Sequence, residues 1–124
     1  MKKVCDAMTE QEYIKEQIEL GKGIVRENTV DLRQVKTVAG VDLAYWKDNG
    51  RECAVCCIVV VDYDTFEILE KVSRRDFISV PYIPGCLAFR EIPLFMDTYG
   101  QVKTTPDVVF FDGNGYLHPR HMGL

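Results

Sequence analysis

Apolar residues Tyr13, Ile14 and Ile18 recur at helical spacing behind Thr9, whose hydroxyl stands three residues before Glu12. This is a capping-box pattern and predicts a first helix over 9–27. Gly21 and Gly23 weaken its second half by about 1 kcal/mol each relative to alanine, so packing must hold that end. The period then changes from helical to alternating. Runs at 38–45, 54–61 and 67–77 are β-branched or alternating, separated by the turn signals Asp48-Asn49-Gly50 and Asp62-Tyr63-Asp64, and predict a three-stranded antiparallel meander. A loop punctuated by Pro81, Pro84 and Gly85 leads into a helical stretch over 86–99 that contains Pro93. Proline removes a donor and crowds the preceding turn, which predicts a kink or a restarted helix there. Residues 108–111 read as a short buried strand ending in Asp112.

These elements predict an α/β fold of the ribonuclease H type: an antiparallel meander, helices, and a last strand lying parallel beside the first. All 124 residues fit a single domain. The sequence ends about thirteen residues after that strand, where an α/β sheet would ordinarily receive another covering helix, so the domain is expected to be incomplete at its C-terminus. An uncovered sheet face of that kind would favour self-association.

Composition narrows the picture only a little. The longest apolar run, 55–61, is far shorter than the roughly 20 residues of a membrane helix, and the N-terminus lacks an apolar signal core. The expectation is a cytoplasmic chain without a membrane partner. Five cysteines, Cys5, Cys53, Cys56, Cys57 and Cys86, form an odd set that argues for reduced thiols rather than a disulfide framework. Cys53 and Cys56 form a CxxC, but residues three apart on a strand point to opposite faces and cannot chelate one ion. A net charge of −4 provides no strong field for phosphate backbones, so metal-free nucleic-acid binding would be weak and salt-sensitive.

Three acids stand where chemistry could be done. Asp42 interrupts an apolar strand, Asp112 ends the last strand before Gly113-Asn114-Gly115, and Glu91 sits in the Phe89-Arg90-Glu91-Ile92 stretch of the second helix. If the first and last strands are neighbours, the two aspartates meet and Glu91 could complete a set of hard oxygen ligands for Mg2+ or Mn2+. Each acid also has a plainer role: Asp42 paired with a lysine or arginine, Glu91 on a solvated helix face, Asp112 starting a turn. Pro81-Tyr82-Ile83-Pro84 is a rigid tip that could wedge between bases, or a turn whose Tyr and Ile cap the core. His118 and His121, with Pro119 and Arg120, could contact a scissile phosphate or a metal-bound water, or simply face solvent.

The strings VAGVDLAY, VPYIPGCLAFRE and DGNGYLHPRHMGL, in this order over 38–124, resemble the motifs of the endonuclease V family, and EQIELGKGIVREN resembles its N-terminal helix. The resemblance implies Mg2+- or Mn2+-dependent hydrolysis of the second phosphodiester bond 3′ to inosine in DNA or RNA. It implies that Asp42, Glu91 and Asp112 bind metal and that Pro81, Tyr82, Ile83 and Pro84 form a strand-separating wedge. Gly85, Leu87, Gly113 and Leu124 match the pocket for a flipped hypoxanthine, and His118 matches a histidine near the reaction centre. Many bacterial members have histidine or glutamine where Asn114 stands. Similar proteins continue for about another hundred residues, with a catalytic lysine and a late metal-site histidine. The sequence is therefore expected to present three carboxylates and the wedge without the whole active site. Its cleavage is then weak or absent, and the alternatives are a non-cleaving inosine-binding module or an interaction fragment.

Overall fold

The computed structural model of the chain describes residues 8–124; Cys5 lies outside the described residues. The first helix, α1, spans Glu10–Gly21 and begins with the expected capping box, Thr9 accepting from the Glu12 amide while Glu12 accepts from the Thr9 amide. It ends at Gly21 rather than near 27, where the two glycines remove helix propensity and Lys22, Gly23 and Ile24 close the last turn with three-residue bonds.

Strands β1 (Thr37–Asp48), β2 (Arg51–Asp62) and β3 (Ile68–Phe77) form the meander, each of the first two longer than the apolar run that announced it. The β1–β2 hairpin closes through Asn49 and Gly50, both at positive φ (48° and 79°), between the paired residues Asp48 and Arg51. That is the two-residue primed turn which matches strand twist. After β3, helix α2 (Ala88–Tyr99) crosses to β4 (Val108–Phe111), and the sheet order is β3-β2-β1-β4. Helix α2 does not restart at Pro93 but runs as one helix through it. The proline forfeits a single bond midway along the helix, and Leu94, Phe95 and Tyr99 pack on the sheet beyond it.

Alternation decides which side of the sheet faces α2. Ala39 and Val41 of β1, together with Ala54, Cys56, Ile58 and Val60 of β2, join Leu94 in the core. Cys53 and Cys56 are both buried and, three apart on β2, belong to opposite faces. Phe111 of β4 meets Phe95 edge-on at 4.7 Å between ring centres. Among the described residues, no helix is long and apolar enough to cross a membrane.

Asp107 sets the register of β4. Its carboxylate accepts from the Lys36 and Thr37 amides at 2.8 and 3.1 Å, and its own amide donates to the Thr37 carbonyl at 3.0 Å. Those backbone donors hold the Asp107 carboxyl below its ordinary value. The folded pKa then lies below the unfolded one, so this contribution to stability is in place above the ordinary carboxylate range and is lost as pH falls through the folded value. Asp107→Asn should lower the urea midpoint near neutrality and converge on the parent chain as the solution is acidified. Equal midpoints at pH 6 would contradict this account.

Candidate nucleic-acid site

β1 and β4 run parallel with Val38 opposite Val108 and Val41 opposite Phe111. One step beyond the last pair come Asp42, midway along β1, and Asp112, just past the end of β4, which the register sets side by side. Both are exposed. Asp42 accepts from the Leu43 amide at 2.9 Å, and among the described residues no lysine or arginine is ion-paired with it.

Glu91 is not on a solvated face. It is only 9% exposed, on the side of α2 that carries Leu94 and Thr98 toward the sheet. The Tyr45 hydroxyl donates to its Oε1 at 2.7 Å. Loss of hydration at the hydroxyl end of Tyr45, together with that bond to a carboxylate, pushes the phenol well above its ordinary range. Beside Glu91, Arg90 is 5% exposed; it donates to Glu52 at 2.7 Å and lies 5.4 and 5.7 Å from the ring centres of Tyr45 and Tyr82. A row of side chains thus runs from Tyr82 through Arg90 and Tyr45 to Glu91. The buried Cys56 thiol is raised chiefly by burial, and the nearby charges of both Glu91 and Asp42 add to it.

Among the described residues, no three His, Cys, Asp or Glu side chains gather as an ion cage. The donor chemistry nevertheless suits a hard divalent cation, because Mg2+ keeps several waters and needs only one or two carboxylates beside substrate phosphate. Asp42 and Asp112 could serve as such a pair.

The loop between β3 and α2 holds Tyr82 out, 65% exposed, while Ile83 is half-buried. Gly85 adopts φ 82°, and a side chain there would meet the Arg120 guanidinium at 2.7 Å, so only glycine fits comfortably. Behind this tip is an open cavity of about 560 Å³. Tyr82, Gly85 and Leu87 line one side; Asp112, Gly113 and Asn114 follow along β4's end; His118, Gly123 and Leu124 close the other. Pro81, Pro84, Asp42 and Glu91 are not on its walls. His118 is buried, with Nδ1 accepting from the Arg120 amide at 3.1 Å. His121 instead stacks on Tyr116 at 4.5 Å, away from the cavity.

Gln17 of α1 also lines the cavity, and the sequence offered only a weak cue to it: a polar residue one position before Ile18 on the apolar side of a helix. It is completely buried. Its amide donates to the Gly85 and Met122 carbonyls and accepts from Arg120 Nε.

The family model described as Endonuclease V matches residues 18–124. The chain is 50% identical over 114 residues to the endonuclease V of Bacillus thuringiensis subsp. konkukian, covering 92% of the chain and 48% of the relative. To that of Bacillus subtilis it is 48% identical over 119 residues, covering 96% and 50%. The chain therefore spans about half the length of the curated relatives it matches. The Bacillus subtilis crystal structure superposes with a TM-score of 0.87 at 48% identity, covering 95% of the chain and 50% of that structure. The Ciona intestinalis endonuclease V, solved with a 24mer DNA containing an inosine followed by a ribo-adenosine, superposes with a TM-score of 0.83 at 34% identity, covering 90% and 49%. The α/β fold is ribonuclease H-like, as are these neighbours.

Proposed function

Because the chain belongs to the endonuclease V family, we propose that it recognises inosine in a nucleic-acid strand and contributes to hydrolysis of the second phosphodiester bond on its 3′ side. The observation that carries this reading is one cavity of about 560 Å³ lined together by Tyr82, Gly85, Leu87, Gly113 and Leu124, with Asp112 and His118 on its rim. An opening of that size accepts a purine base. Exposed Tyr82, braced by Pro81 and Pro84, is suited to unstack the strand, and the small residues let an extruded base lie against backbone. The relative from Ciona intestinalis was solved with inosine-containing DNA, which supports the choice of base.

Asp42 and Asp112 would hold Mg2+ or Mn2+, with Glu91 as a third carboxylate once its bond to Tyr45 is exchanged. When bound, such a cation supplies charge neutralisation at the phosphate and an activated water. His118, with Nδ1 engaged by the Arg120 amide, has Nε2 left to donate toward a phosphate oxygen. The bond between Tyr45 and Glu91, which occupies the third carboxylate, favours a second reading, in which this half binds inosine strands without cutting them.

Incubation of the purified chain with an end-labelled inosine strand in Mn2+ or Mg2+ separates the two. A cut mapped one nucleotide beyond the inosine establishes the nuclease. Inosine-selective binding without a cut selects the second reading, and equal affinity for inosine and adenine strands would reject both.

A further inference from the structure

Helix α1 lies apart from the strands and is held by Tyr13 against the Phe89 ring, 5.0 Å between centres, and by Gln17. Burying an amide costs free energy unless its hydrogen bonds are made. For Gln17 they are: Nε2 donates to the Gly85 carbonyl at 2.9 Å and to the Met122 carbonyl at 2.5 Å, and Oε1 accepts from Arg120 at 2.5 Å. Arg120 in turn donates to the same Gly85 carbonyl at 3.0 Å. Near the end of α1, a side chain added at Gly21 would touch the His121 and Arg120 carbonyls at 3.3 and 3.4 Å, so helix and segment are in close contact.

Gly85 stands at the foot of the Tyr82 tip, and the segment 118–122 leads into the opposite wall. We infer that Gln17 is a positioning residue for inosine recognition, whose amide clamps these two walls together and so sets the width of the base cavity. This rests on the reading of the cavity given above. With both N–H groups and the acceptor spent on protein partners, Gln17 has no donor left for a base and acts through Gly85 and Arg120. A purine held between flat walls loses contact steeply as the walls separate, whereas strand contacts outside the cavity are indifferent to that width.

Two substitutions report on the clamp. Gln17→Glu keeps the size and the acceptor for Arg120 but sets carboxylate oxygens against two carbonyls. Arg120→Lys keeps the charge and removes the bond from Nε. Affinities for strands differing only in inosine or adenine are measured by fluorescence anisotropy, at a temperature where circular dichroism reports the parent spectrum. The inosine preference is expected to fall about tenfold in Gln17→Glu, as when one buried hydrogen bond to a charged or fixed group is lost, and less in Arg120→Lys, inosine-strand affinity falling further than adenine-strand affinity in both. A merely structural role would lower both affinities by the same factor and leave their ratio intact. Preference within twofold of the parent in a folded Gln17→Glu chain would overturn the inference. A parent chain without inosine preference would overturn the cavity reading as well, and the parent measurement tells these failures apart.

Discussion

Asp42→Ala is expected to abolish metal-dependent cleavage, lowering any cut of an inosine strand by about 10³-fold, because a ligand cation stabilises phosphoryl-transfer charge by several kcal/mol. The same change should weaken Mn2+ binding by at least about tenfold, comparable to the loss of a group that supports a metal site. Stability should hardly move. Asp42 is exposed and, among the described residues, its carboxylate bonds only to the Leu43 amide of its own strand, and surface substitutions of that kind stay within about 0.5 kcal/mol. Mn2+ titration followed by the free-ion paramagnetic signal checks the binding, gel mapping checks the cut, and urea unfolding checks the fold. Parent-like Mn2+ affinity in the variant would remove Asp42 from the metal site.

Gly113→Ala should damage the cavity and the fold together. Its new methyl group would overlap the Leu124 carbonyl and come within 2.8 Å of the Leu124 side chain. That carbonyl accepts from the Gly115 amide at 2.6 Å, and the Gly123 amide donates to the Gly115 carbonyl at 3.0 Å, so the segment is tied down at two points. Making room requires lifting it, with loss of both bonds and of one cavity wall. Overpacking of this kind costs about 1–3 kcal/mol, and the inosine preference should fall more than tenfold. Gly115→Ala is the useful contrast. It sits at φ 52° with nothing within 4 Å of an added side chain, so its cost is backbone conformation alone, about 1 kcal/mol. Urea midpoints and paired anisotropy titrations should rank Gly113→Ala as the more harmful on both scales. An alanine at 113 that leaves both measurements at parent values would show that the Leu124 contact does not shape the site.

Much of this architecture was legible in local patterns, because it depends on neighbours a few residues apart. Thr9 and Glu12 make their capping box from three positions of separation. Asn49-Gly50 adopts the turn that its positive φ angles require, and β4 covers the residues its short apolar run marked, although the strand expected to be buried leaves Phe110 and Phe111 exposed at the edge of the sheet. The resemblance to the family, rather than local pattern, singled out Gly85, Leu87, Gly113 and Leu124 for a pocket and Tyr82 for the wedge, and all five line one cavity. Other features come from chain segments meeting across long separations. Asp107 bonds to Lys36 and Thr37 about seventy residues away, and that closure brings Asp42 beside Asp112. Gln17 meets Met122 across 105 positions, so its sequence neighbours carry no sign of its partners. The bond of Glu91 to Tyr45 and the unbroken passage of α2 through Pro93 were likewise decided by packing on the sheet. Local propensity and spacing determined the elements and their turns, while the free energy of long-range burial and of satisfying buried polar groups decided which side chains share a wall.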